Sequence, residues 1–374
     1  MNKLLFKALL ISIVGFVTLS CGGGDNPADL FKVTFEAENQ KVNYLKKEFF
    51  LKIETAGTWE IRKNDNADWY SFNKTSGQGT GTVVVTVNRN EGAERSSSFE
   101  VISGNNRQVF NLIQEKFDLN ALLHPNKESY RIEVPRLSND IIENKSQFVV
   151  HYATNLLNYS MEYNYEKRHS RWVAFVFDNA TAYNSGVGRT DAWNGDPQIP
   201  VQYWTYSSDY AGSTYDRGHL VASADRQYSY EANAQTFYYS NISPQMGNFN
   251  TGIWAELENK VRDWGVSSTI RDTLYVVKGG TINEGNYTPL NNTVVPKYYF
   301  MAVLAKKGNN YNAIGFYFEH KAYYKEGGSY YLENYTCTID ELETRTGINF
   351  FHNLPDPIEN SVESVKDNLK WPGL

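Results

Sequence analysis

The sequence predicts two domains of different class: an all-β, immunoglobulin-like sandwich over residues 30–117, then an α+β domain over residues 145–374. Three observations lead there. Residues 30–117 alternate apolar and polar side chains in short runs divided by turn residues. Beyond residue 145, strand-like runs are joined by one strong helical period. The 27 Tyr, 20 Phe and 8 Trp of the 374-residue chain suit pleated surfaces, where aromatic side chains pack well. The length itself favours two domains. With 41% hydrophobic and 21% charged residues the bulk is globular. Two cysteines exclude both a disulfide framework and a cysteine-based zinc ribbon.

Residues 1–21 read MNKLLFKALLISIVGFVTLSC. Lys3 and Lys7 precede an uncharged run from Ala8 to Leu19, too short for a stable span and suited to the core of an export signal. Ser20, Cys21 and the following GGGDNPAD make the stretch similar to a bacterial lipoprotein signal, although Thr18 stands where Leu is usual. That resemblance implies cleavage before Cys21, its lipidation, and residence at the outer membrane, on the periplasmic face or the cell surface. Residues 22–29 then serve as a linker. A plain secretory signal is the alternative. Cys337 is the other thiol; it is expected to be buried and receives no function.

Strands are expected at VTFEAEN, FFLKIET, GTVVVTVNRN, SSFEVISG and QVFNLIQEK, with turns at Gly77-Gln78-Gly79 and Gly104-Asn105-Asn106 and with Trp59 and Trp69 in the core. The order Trp59, Ala67-Asp68-Trp69, Ser76-Gly77, the valine strand ending in Asn88, Arg95 and Gln114 resembles the BACON domain, whose name implies carbohydrate binding. A spacer is the favoured reading and a glycan-binding module the other. No exposed aromatic platform separates from the core aromatics in the sequence.

Residues 118–144 are mixed and proline-punctuated and read as a linker. Strands are expected at 171–178, 273–281, 297–305 and 312–320, and a short helix or turn at 229–237. The best helix is Thr251 to Trp264, where Ile253, Trp254, Leu257, Val261 and Trp264 recur at helical spacing before Gly265. The densest cluster of chemically useful side chains runs from Tyr215 to Arg262: Asp216-Arg217-Gly218-His219, then Asn241-Ile242-Ser243-Pro244-Gln245, then Asn250, Glu258 and Arg262. Asn250, Trp254, Glu258 and Arg262 are four apart and share one stripe of a helix. An amide oxygen and a carboxylate suit a hard cation, and a few protein oxygens completed by water is the usual manner of Mg²⁺. His219 has the one side chain here with an ordinary pKa near neutrality, as a general base needs. The other five histidines read as packing or surface residues. Glu256, Asp263 and the acidic run Asp356, Glu359, Glu363 and Asp367 read as solvated. Ser223 and Ser243 lack the surroundings of a hydrolase nucleophile.

DRGH, NISPQ, the Asn250–Trp254 segment and Leu257-Glu258, with their intervals, resemble the DNA/RNA non-specific endonucleases over about residues 145–352. WVAF at 172–175, Arg189, DPQIP at 196–200, VVKGG at 276–280, PKYYF at 296–300 and IDELETRTGINFF at 339–351 belong to the same likeness. The resemblance implies a ββα-metal active site beside a mixed or antiparallel sheet flanked by helices. By position it implies His219 as general base and Asn250 as the direct ligand of Mg²⁺. It implies Glu258 as a carboxylate acting through the metal's water, Asp216 as an orienting group, and Arg217 and Arg262 as phosphate contacts. Asn241 and Gln245 are implied as polar active-site residues. An upstream transition-state arginine is implied as well, and spacing leaves Arg168 and Arg171 both open. The activity implied is in-line hydrolysis of DNA and RNA to 5′-phosphate ends, with Mn²⁺ an alternative cation.

Charge pulls the other way. The net charge is −6, and residues 119–374 hold 22 Lys and Arg against 28 Asp and Glu. A processive nucleic-acid binder is normally basic. The expectation is brief contact through a few arginines, modest affinity, and activity that falls with salt. Two other functions are weighed: a surface glycan-binding lipoprotein carrying an inactive nuclease fold, and a phosphodiesterase of small diesters.

Overall fold

The computed structural model describes residues 31–37, 41–44, 47–118 and 125–374, in two compact units that divide after Asp118. Cys21, the expected export signal and the first linker lie outside the described residues. Among the described residues no helix is long and apolar enough to cross a membrane.

The first unit is all β. Its strands are β1 (Phe31–Phe35), β2 (Lys41–Val42), β3 (Lys47–Thr55), β4 (Thr58–Lys63), β5 (Tyr70–Phe72), β6 (Ser76–Gln78), β7 (Gly81–Val87), β8 (Arg95–Ser103) and β9 (Asn106–Gln114). They form two sheets, β1-β3-β7-β5 and β2-β9-β8-β4-β6. In β3 and β7 every second side chain is buried, so one face of each sheet is apolar and the two faces close on each other. Leu51, Ile53, Val83, Val85, Phe99, Phe110 and Leu112 share that core with Trp59 and Trp69. Trp59 donates its indole N–H to the Gly79 carbonyl, and a Cβ on Gly77 would lie 2.4 Å from the Trp59 ring. Glycine is therefore required at 77 by the tryptophan beneath it.

The second unit is built on a seven-stranded sheet: β10 (Ser146–Ala153), β11 (Leu156–Asn164), β12 (His169–Phe177), β15 (Thr273–Gly280), β18 (Tyr298–Lys307), β19 (Asn310–Glu319) and β20 (Thr336–Cys337), in that spatial order. Every neighbouring pair is antiparallel. Between β12 and β15 the chain makes a separate hairpin, β13 (Tyr215–His219) with β14 (Ile242–Met246). A small pair, β16 (Tyr287–Leu290) and β17 (Thr293–Pro296), follows β15. The helices are α1 (Asn139–Ile142), α2 (Tyr230–Gln235), α3 (Ala255–Val266), α4 (Ile339–Thr346) and α5 (Asp356–Glu363).

The central strands are buried on both faces, so they read as near-continuous apolar runs. One face carries Val173, Phe175, Phe177 and Val276 against Leu257, Val261 and Trp264 of α3. The other carries Trp172, Ala174, Val176 and Val277 against Ile339 and Leu342 of α4 and Val362 of α5. Residues 125–144, read above as a linker, belong to this second core: Val134 and Leu137 are buried in it, and Ser138 caps α1 while bonding Glu162. Glu363, read as solvated, is only 5% exposed. Cys337 is buried as expected, and burial pushes its thiol up to about 11.

Candidate active site

The hairpin and α3 hold the site. Gly218 faces Ser243 across the hairpin, and an added Cβ there would come 2.1 Å from Gln245 Oε1. The glycine of DRGH is thus demanded by the glutamine packed against it. After β14 the chain enters a wide turn of π-helix, Phe249–Trp254, which passes into α3. Gly252 has non-helical angles within that turn, and its missing Cβ would meet the Tyr330 hydroxyl at 2.8 Å. Asn250 lies on the π turn and Glu258 in the first turn of α3.

These elements enclose a cleft of about 280 Å³ lined by Arg189, Arg217, His219, Asn250, Glu258 and Arg262, among others. It shares Arg189, Arg217 and Asn250 with a neighbouring hollow of about 520 Å³ that adds Trp193, Tyr210, Tyr215 and Asp216. His219 makes no ring hydrogen bond among the described residues, and its Nε2 is enclosed without a partner. Its ring lies against Trp193 and Phe237. Burial, with the charge of Arg189 second, pushes its pKa down to about 3, so the imidazole is neutral at neutral pH. Asn250 donates Nδ2–H to Asp216 Oδ2 at 3.0 Å, which leaves its amide oxygen uncommitted. Arg217 stacks over Trp193, 4.0 Å from the ring centroid. Arg262 is held by Asp225 at 2.9 Å and by Asn259 at 2.8 Å. Glu258 Oε1 accepts from Lys278 Nζ at 2.9 Å; burial raises the Glu258 pKa and the lysine opposes that shift.

Four expected residues fall elsewhere. Asn241 is fully buried; its amide donates to the Val221 and Thr236 carbonyls and accepts from Val221 N–H, so its capacity is spent on backbone. Gln245 is likewise buried, beneath Gly218. Arg168 points to the Trp204 carbonyl. Arg171 is the extra residue of a β-bulge, with Ser170 opposite Tyr163 and Trp172 opposite Glu162. The bulge re-aims its side chain to the Gly347 carbonyl and Glu162. Neither arginine lines the cleft. Arg189 does, braced by Asp191 at 2.9 Å and stacked over Phe237. It stood in the sequence as part of the family likeness, with no role attached. Lys278 stood there in the same way, within VVKGG, whereas Asp225 and Trp193 carried no signal of their own. Among the described residues the tight grouping of three carboxylates is Asp340, Glu343 and Glu363, outside this cleft.

The site contains the donor set a hard divalent cation takes: an uncommitted amide oxygen and a carboxylate with one oxygen free, facing one cleft. Residues 137–357 match the family model described as DNA/RNA non-specific endonuclease. The chain belongs to that family. Residues 58–115 match BACON, described as a putative binding domain, N-terminal. A nuclease of Nostoc sp. is 33% identical over 218 residues, 56% of this chain and 77% of the relative. Nuclease C1 of Cunninghamella echinulata is 29% identical over 245 residues, 62% and 90% of the two chains. A solved EndoG/EndoGI complex aligns at a TM-score of 0.48 and 21% identity, over 55% of this chain and 87% of that one. This family member is accordingly a hydrolase of nucleic acids, of a kind that works with a divalent metal.

Proposed function

We propose that the protein is an exported, lipid-anchored endonuclease that uses Mg²⁺ to hydrolyse phosphodiester bonds of both DNA and RNA with little regard to sequence, leaving 5′-phosphates. The observation that carries this reading is the neutral, unpartnered imidazole of His219 in a cleft with three arginines and a hard-oxygen donor set.

Asn250 and Glu258 would hold the cation, which when bound supplies Lewis-acid polarisation of the scissile phosphate. The rest is the chain's own. His219 takes the proton from the attacking water, a task open to an imidazole that is neutral and has no protein partner. Arg189 and Arg217 face the same space with ring-stacked guanidiniums and offset the charge that grows on phosphate. Asp216 fixes the Asn250 amide. Contacts to phosphate carry no sequence information, so low specificity follows. Arg189, Arg217 and Arg262 gather at the cleft of an acidic chain, two of them paired with Asp191 and Asp225, which fits brief contact with phosphate through a few arginines. The first unit is read as a spacer that holds the nuclease unit off the outer membrane anchored at Cys21.

The test uses protein from residue 22 onward with supercoiled plasmid and with total RNA, in Mg²⁺ or EDTA, beside His219→Ala. The expected result is Mg²⁺-dependent loss of both substrates that disappears in the variant. Intact substrates across divalent metals and pH would end the proposal.

A further inference from the structure

Lys278, the centre of the VVKGG motif, has no part in the reaction above, yet its side chain is 0% exposed and ends beneath the cleft. It projects from β15, a central strand, on the face that carries α3. Its Nζ lies 2.9 Å from Glu258 Oε1 and 3.2 Å from Asp225 Oδ2. A buried ammonium is costly unless paired, and a methionine of similar reach would fill the same space without that penalty. The charge therefore serves a purpose that packing does not explain.

Asp225 draws on it as its foremost countercharge but has others. Arg262 already holds Asp225 at 2.9 Å, and the buried Arg226 guanidinium lies beside it as a further countercharge. Glu258 does need it: among the described residues Lys278 is the one side chain at hydrogen-bond distance from Glu258. We propose that Lys278 is a positioning residue, binding Glu258 Oε1 from the rigid sheet so that the second carboxylate oxygen stays turned to the cleft. The inference rests on the function proposed above. Without the lysine, Glu258 is free to turn to Arg262, one helical turn further on and able to satisfy it. The cleft would then lose an oxygen donor and one arginine together.

The experiment measures kcat, KM for DNA and the half-saturating Mg²⁺ concentration for the wild type, Lys278→Met, Glu258→Gln and the double variant, each normalised to folded protein. Loss of an outer-shell partner of this kind costs about 10–100-fold in activity or metal affinity. Lys278→Met is expected to show such a loss in kcat and a raised Mg²⁺ requirement, with KM for DNA within about twofold of wild type. In the Glu258→Gln background the same substitution is expected to change kcat by less than about twofold, since its target is gone. That comparison also decides the matter if Lys278→Met alone does not fold, because the double variant leaves no buried charge unpaired. A loss that persists in the Glu258→Gln background, or a Lys278→Met enzyme with wild-type kcat and Mg²⁺ dependence, overturns the proposal. A wild type inactive with every divalent metal would instead remove the nuclease reading beneath it, a result the variants cannot imitate.

Discussion

An imidazole held near a pKa of about 3 stays neutral across the range in which ordinary histidines titrate. A base works in its neutral form, so lowering its pKa widens the working range on the acid side. The kcat/KM profile is accordingly expected to show no step near pH 6.5, with any loss due to His219 confined below about pH 5. A clear step at 6.5 would mean that the ring is solvated in the working enzyme. The arginines give a second expectation. Arg189 lines the cleft, whereas Arg168 and Arg171 are turned to the backbone carbonyls of Trp204 and Gly347. Arg189→Ala should lower kcat by about 10²–10³-fold, the usual cost of one preorganised transition-state donor. Arg168→Ala and Arg171→Ala should leave kcat within a few-fold, and a reversal of that order would return the upstream role to one of them. His219, Asn250 and Glu258 were legible because each sits in a compact motif at a fixed interval. Arg189 was present in the likeness but had no assigned part, because the irregular segment that brings it back to His219 has no periodicity to read.

At the level of elements, what sequence showed depended on how each segment is buried. β12, β15, β18 and β19 were legible as apolar runs. β10 and β11 were not, because β11 is buried almost throughout and interrupts its apolar residues with Asn158 and Glu162, which bond inside the protein, and with Ser160, whose buried hydroxyl has no partner among the described residues. The helix expected from Thr251 begins regular α geometry at Ala255, since Gly252 breaks the helical angles and the π turn takes up the difference. The hairpin shows how elements turn a chemical motif into a place. Asn241 ties its second strand to Val221 and to the end of α2, through three bonds to backbone. Asn241→Ala should therefore cost about 1–3 kcal/mol of stability, from buried backbone groups left unpaired. Activity should fall with the folded fraction and with any shift of His219. Thermal denaturation beside kcat at a temperature well below the transition separates the two. A variant with wild-type Tm and a large loss of kcat would put Asn241 in contact with substrate after all.

For the whole molecule, net charge misled and the distribution of buried titratable groups says more. His169 and His320, each pushed down by burial to about 4, take up fewer protons folded than unfolded. Their contribution to stability is full above pH 6.5 and is lost as pH falls from there through 4. On the α4–α5 side the sign is opposite. Burial, reinforced by Glu343, pushes Glu363 up to about 8; burial also lifts Glu343 to about 7. A carboxyl raised in the folded state binds more protons folded than unfolded, so its contribution is full below its unfolded pKa of 4.5 and is lost as pH rises through 8. Stability is thus squeezed from both sides, by histidines in acid and by a carboxyl pair in base. Glu363→Gln isolates the second arm, because glutamine resembles the protonated acid and does not ionise. Its advantage over wild type should be negligible near pH 5 and grow to about 1–2 kcal/mol by pH 9, allowing for screening by solvent. Tm measured for both proteins from pH 5 to 9 tests this. A variant less stable than wild type at every pH would show that Glu363 is held as a paired carboxylate, and the basic arm of the curve would then need another source.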